Sequence, residues 1–151
     1  MAKSKKKPHS KYKASVQKEP KHTVTLGAFH GRNPAWRLNK LKKYNDYEFG
    51  WDAIEEDLSR VMELLHDFET RTWGEILIND RKRNHPVSIY KLIPKARRML
   101  AQQKEDVDEI VSLHLSSKER IWGIMESEYG IMDIVWWDPE HKICPSEKKH
   151  T

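Results

Sequence analysis

Cysteine is nearly absent from this chain: Cys144 is the single one in 151 residues, so no internal disulfide can form. That usage agrees with a reducing compartment and leaves stability to packing alone. Long apolar runs are missing as well. With 37% hydrophobic against 34% charged residues, the chain reads as soluble. Nothing in it approaches the roughly 20-residue apolar stretch that crosses a bilayer, and no membrane segment is expected. The basic start, MAKSKKKPHS, is followed by no apolar h-region and does not read as a secretory signal. The expected location is the cytoplasm. There is no internal repeat, no glycine-rich phosphate loop, no HExxH, no CxxC pair and no GxSxG elbow. Nucleotide hydrolases, zinc proteases and serine hydrolases therefore lose their usual sequence support. Asp138, Glu140, His141 and Cys144 could be read as metal ligands, but no second ligand pair stands at a recognisable spacing. No metal and no other cofactor is expected.

What is present is positive charge, unevenly placed. Residues 1–22 hold eight lysines and one acid, Glu19, so this segment carries +7 of a net +5 and the remainder of the chain is −2. Lysine runs with scattered Pro and Ser and no apolar periodicity predict a disordered arm, one that either contacts phosphates without sequence preference or only solubilises. Residues 23–151 are expected to form a single domain. Inside that domain, "RKRNHPVSIYKLIPKARR" brings Arg81, Lys82, Arg83, Lys91, Lys95, Arg97 and Arg98 together without one acid. A one-signed stretch raises the local potential and recruits polyanions, with nucleic acid favoured over an acidic protein partner. His85, in the same stretch, either joins this basic surface or sets a turn with Asn84 before Pro86.

The pattern of apolar residues predicts the elements. "TVTLGAFHG" reads as a short strand, and Asn33-Pro34 as a helix start before "AWRLNKL". Asp52 and Glu55 resemble a capping box ahead of a helix whose buried face is Ile54, Leu58, Val61, Met62, Leu65 and Phe68. Its other face carries Glu55, Glu56, Asp57, Glu63 and Asp67. Thr72 and Glu75 repeat the capping pattern for a short helix over "WGEILI", and Pro94 opens another with Ala96, Met99 and Leu100 inward. Beyond Asp108 the period changes to alternation, predicting strands over 110–115, 120–126 and 131–137. The fold class is α+β: N-terminal helices packed on one face of a C-terminal three-stranded antiparallel meander, with a disordered lysine-rich arm.

Alternation divides the strands into faces. Val111, Leu113 and Leu115 should meet the helices, as should Ile121, Gly123 and Met125, and Met132, Ile134 and Trp136. His114, Arg120, Trp122 and Trp137 then share an open face, where a tryptophan ring can stack on a base. With Lys118, Asp138, Glu140, His141 and the terminal His150, they form the candidate site. Metal-independent RNA cleavage needs a base for the 2′-hydroxyl, an acid for the leaving 5′-oxygen and cations for the developing phosphorane. His141 or His114 can supply the proton chemistry, because histidine titrates near neutrality, and Lys118 with Arg120 the charge. Each also has a structural reading, the histidine as a strand residue and Asp138-Pro139 as a turn.

The order of helices, meander and basic-aromatic end resembles the RelE-type ribonuclease toxins over about residues 52–151. The stretches "RIWGIMES" and "WWDPEHKICPS" also look like a recurrent segment of uncharacterised bacterial and phage proteins. The toxin resemblance implies a helix pair on an antiparallel sheet and cleavage of free or ribosome-bound messenger RNA. Lys118, Arg120, His141 and His150 would be the matching chemistry, and an antitoxin or other acidic protein a further partner. The lysine-rich arm, the segment up to Gly50, and acidic Asp138 and Glu140 depart from that pattern. Three functions follow: a toxin-type endoribonuclease, a non-catalytic RNA- or ribosome-binding protein, and an interaction module docking an acidic partner on 81–98.

Overall fold

The computed structural model describes residues 26–41, 49–103, 105–126 and 128–145. The lysine arm, His150 and residues 23–25 lie outside the described residues. Where "TVTLGAFHG" is described it is not the expected strand, because Leu26–Ala28 form a short 3-10 helix that runs into a turn. The class is α+β. Strands β1 (Ala35–Arg37), β2 (His85–Ser88), β3 (Glu109–His114), β4 (Arg120–Glu126) and β5 (Ile131–Asp138) form one sheet, in the order β1-β5-β4-β3-β2. The sheet thus has five strands where three were expected, and it is mixed, because β1 runs parallel to β5 while every other pair is antiparallel. The two added edges come from segments too short to show a period of their own. Asn33-Pro34 leads into β1 and not into a helix, as the extended bias of a residue before proline allows. Arg37 then anchors that strand through a bidentate pair with Asp133 of β5, at 2.6 and 3.1 Å. Lys40 reaches the same carboxylate at 3.4 Å and Glu105 at 3.0 Å.

Three helices cover the sheet: α1 (Trp51–Glu55), α2 (Leu58–Glu69) and α3 (Pro94–Gln102). The helix expected from Asp52 is interrupted at Glu56-Asp57, and no side chain caps either piece. Asp57 instead accepts the indole N–H of Trp137 at 3.3 Å. Of the expected inner face, Ile54, Val61, Leu65 and Phe68 are buried, whereas Leu58 and Met62 are 45% and 57% exposed. The Thr72-Glu75 capping box does form, with both reciprocal bonds at 3.3 Å, ahead of a π-helical turn at Glu75–Asn79. In α3, Pro94 stands in the first turn and Ala96, Met99 and Leu100 are buried.

The helices do not share one face. Val61, Leu65 and Phe68 of α2 pack with Val111, Leu113, Ile121, Met125, Met132, Ile134 and Trp137. On the opposite side, Ala96, Met99 and Leu100 of α3 pack with Ile110, Trp122, Ile124, Val135, Trp136, Phe49 and Ile143. The face expected to be open is therefore a second core. The two tryptophans also exchange places relative to strict alternation, because the β4-β5 register slips between Trp122 and Gly123. Trp122 pairs with Trp136 and Gly123 with Ile134, which leaves Val135 as an extra residue in β5. Met132 and Ile134 face α2 before the irregularity and Trp137 faces it afterwards. Glycine is required at 123, since a Cβ there would lie 2.3 Å from Met132 Cε and 2.8 Å from the Asp133 carbonyl oxygen. Among the described residues, no helix is long and apolar enough to cross a membrane.

Candidate nucleic-acid site

The α3-side core stops short of one end of the sheet, and the polar ends of three strands are left around a cleft. In register, His114 of β3 lies beside Arg120 of β4, which lies beside Asp138 of β5. One row further in, His85 of β2 pairs with Ser112, Ser112 with Trp122, and Trp122 with Trp136. Alternation does the rest, placing His114, Ser112, Arg120 and Trp122 on one face. The cleft they line has a volume of about 640 Å³. Its wall is completed by Lys82, Arg83 and Lys91 from the basic stretch and by His141 from the segment after β5. Among the described residues, four cations and three imidazoles thus line it, and no carboxylate does.

Each polar group has an identifiable support. Asn84 is buried, accepts the His114 backbone N–H at 2.8 Å through Oδ1 and donates to Asp80 Oδ2 at 3.2 Å. One amide therefore fastens the loop carrying Lys82 and Arg83 to the end of β3. The Arg120 guanidinium is held by Nη1, which donates to the carbonyls of Ser116, Ser117 and Glu119 at 2.9, 3.3 and 3.0 Å. Asp138 is wholly buried, and its two oxygens accept the backbone N–H groups of Lys142 and Ile143 at 2.9 and 3.0 Å. That turn swings His141 onto the cleft wall in a left-handed conformation, φ 54°. Ile143, just beyond, is buried, and its carbonyl accepts the Ile93 N–H at 2.9 Å, locking the turn against α3.

Burial and neighbouring cations lower the pKa values of His114 and His141. Burial pushes the His114 pKa below its ordinary value, Arg120 and Arg83 push it further, Asp80 opposes them, and His141 adds to the lowering. His141 is lowered by burial and then by Arg120, against the pull of Asp138. Burial also lowers Arg120, which Asp138 partly offsets. Cys144 lines the cleft, and burial raises its thiol, so the thiolate a nucleophile needs is disfavoured.

The chain matches no protein-family model, no curated protein and no solved structure. The site therefore rests on its own geometry. Of the residues expected in it, Lys82, Arg83, His85, Lys91, His114, Arg120, Trp122 and His141 are brought together. Trp122 contributes only floor, being 1% exposed, with an indole N–H that has no hydrogen-bond partner among the described residues. Trp137 is fully buried on the α2 side and cannot stack on a base, because the register slip turned it inward. Lys118 stands outside the cleft in the β3-β4 turn, 70% exposed and 3.9 Å from Glu140. Arg81, Arg97 and Arg98 are exposed and Lys95 half-buried, all four off the cleft wall. Asp138, Glu140, His141 and Cys144 form no metal cluster among the described residues. Asn84 went unread as more than a turn residue; its only signal was an amide between a basic run and a strand.

Proposed function

We propose that this cleft binds RNA and cleaves it without a metal, as a toxin-type endoribonuclease acting in the cytoplasm. The observation that carries the reading is the composition of the wall: among the described residues, four cations with three imidazoles and no carboxylate. Such a wall attracts a phosphodiester and repels nothing anionic. His114, whose pKa burial and two arginines lower, is suited to take the proton from the 2′-hydroxyl. His141, its pKa lowered by burial and Arg120 against the pull of Asp138, is assigned the proton given to the leaving 5′-oxygen. The 2′-oxygen forms a bond to phosphorus as the bond to the 5′-oxygen breaks, leaving a 2′,3′-cyclic phosphate and a 5′-hydroxyl. Arg120, its guanidinium already fixed to three carbonyls, meets the negative charge that grows on the phosphorane. Lys118 has no part in this arrangement. Arg81, Arg97 and Arg98 lie on flanking surface, where they suit further backbone phosphates or the acidic face of an antitoxin.

Incubation of the purified protein with a mixed RNA pool in EDTA, beside His114→Ala and His141→Gly, tests the mechanism. Cleavage to cyclic phosphate ends that both variants lose is the expected outcome. Intact RNA with a salt-sensitive gel shift would leave the cleft as a non-catalytic RNA- or ribosome-binding surface. Neither cleavage nor shift would overturn the RNA reading and turn attention to an acidic protein partner.

A further inference from the structure

A second cavity, of about 340 Å³, adjoins the first, and the two share Arg83 and His114 as a common wall. Its chemistry is opposite. Asp67, Asp80, Arg71, Asn84 and Ser116 line it, so two carboxylates face a space that begins where the carboxylate-free cleft ends. Carboxylates repel phosphate and accept hydrogen bonds from base amino and imino groups. Phe68 also lines this cavity, and the Arg71 guanidinium carbon sits 4.9 Å from the centre of its ring. A guanidinium held against a ring presents a flat cation, which is a surface on which a base stacks. Asp80 steadies that arginine at 3.8 Å and is itself engaged by Asn84. Asp67 is exposed near the end of α2, and its carboxylate makes no hydrogen bond or ion pair to another described residue.

We infer that this cavity is a base-reading subsite of the RNA cleft, in which a base next to the phosphate at Arg83 and His114 stacks on Arg71 and donates to Asp67. The inference rests on the RNA reading of the first cleft and deepens it. A carboxylate has two acceptor oxygens side by side. Guanine offers two neighbouring donors, N1–H and the 2-amino group, and matches both. Adenine and cytosine offer one amino group, and uracil sets its single N–H between two carbonyls that a carboxylate repels. The subsite therefore selects guanine first and uracil last. This also replaces the stacking surface that Trp122 and Trp137, both buried, do not provide.

The test uses the full chain and fluorescent 2′-O-methyl hexanucleotides, adenosine throughout or with one central G, C or U, which bind but cannot undergo 2′-oxygen attack. Anisotropy titration should show the G oligomer bound about ten-fold more tightly than the U oligomer, the scale of one bidentate base contact. Asp67→Asn, a near-isosteric change at an exposed site, should erase that preference while overall binding persists. Arg71→Ala should weaken all four oligomers and narrow their spread. Lys91→Ala/Arg120→Ala should weaken all four equally and leave the preference intact. Equal binding of all four by the parent, or a guanine preference untouched by Asp67→Asn, would overturn the subsite and leave the RNA cleft standing. Failure of the parent to bind any oligomer even at low salt would remove both.

Discussion

His141 carries two demands that conflict. A non-glycine residue at φ 54° is strained by roughly 1–2 kcal/mol, because its Cβ crowds the backbone. The strain persists because Asp138 and Ile143 fix the turn on either side. His141→Gly should consequently raise stability by about 1 kcal/mol in urea denaturation while RNA cleavage is lost. A second expectation concerns pH. The proposed cleavage needs His114 neutral and His141 protonated, and both pKa values are lowered by burial and then by Arg120. The proton on His141 is thus lost below its ordinary value near 6.5, so activity should peak on the acid side and decline through neutrality. Arg120→Gln should move that alkaline limb upward, because it removes a positive charge that disfavours the imidazolium. Asn84→Ala should cost about 1 kcal/mol by calorimetry, since it removes the partner of the part-buried His114 N–H.

Among elements, β1 is the short edge strand that a buried carboxylate helps to anchor, beside the packing of Trp36 against Phe68 and Trp73. Three residues give few ladder bonds, and Asp133 adds ion pairs to Arg37 and Lys40. Burial raises the Asp133 pKa, but the Arg37 hydrogen bonds and the charges of Lys40 and Arg37 outweigh it, and the net shift is downward. A folded-state pKa below the unfolded one contributes stability above the unfolded value, near pH 4, and that contribution is lost as pH falls through the lower folded value. Asp133→Asn should lower stability at pH 7 and flatten the acid limb of an unfolding titration below about pH 4. A parent curve that overlays the variant's over that range would remove Asp133 from acid unfolding.

For the molecule as a whole, the +7 carried by residues 1–22 sits beside a body of net −2. If RNA contacts both the arm and the cleft, log K falls with log salt by about 0.7 for every phosphate neutralised on a single strand. Deleting residues 1–22 should weaken RNA binding and lower that slope by several contacts' worth, while the base preference and the cleavage site stay unchanged. An unaltered slope would assign the arm to solubility alone.

At this scale the division between sequence and tertiary structure is clear. The α+β class, the places of β3, β4 and β5 to within a residue, the Thr72-Glu75 cap and the inner face of α3 follow from local pattern, because capping chemistry and periods of 2 and 3.6 act over a few residues. The gathering of His114, Arg120 and His141 was legible for the same reason, all three lying within one meander and its immediate continuation. Contacts distant in the chain were not. The pairing of β1 with β5, the second core under α3 and the Asn84 tether join segments separated by 30 to 96 residues, as the spacing from Asn84 to His114 and from Arg37 to Asp133 shows. A single extra residue at Val135 decided which tryptophan faces which core. Alternation is a parity, and one inserted residue reverses it for everything downstream. No local pattern can announce that reversal, because the close approach that demands Gly123 exists only once β4 and β5 are paired.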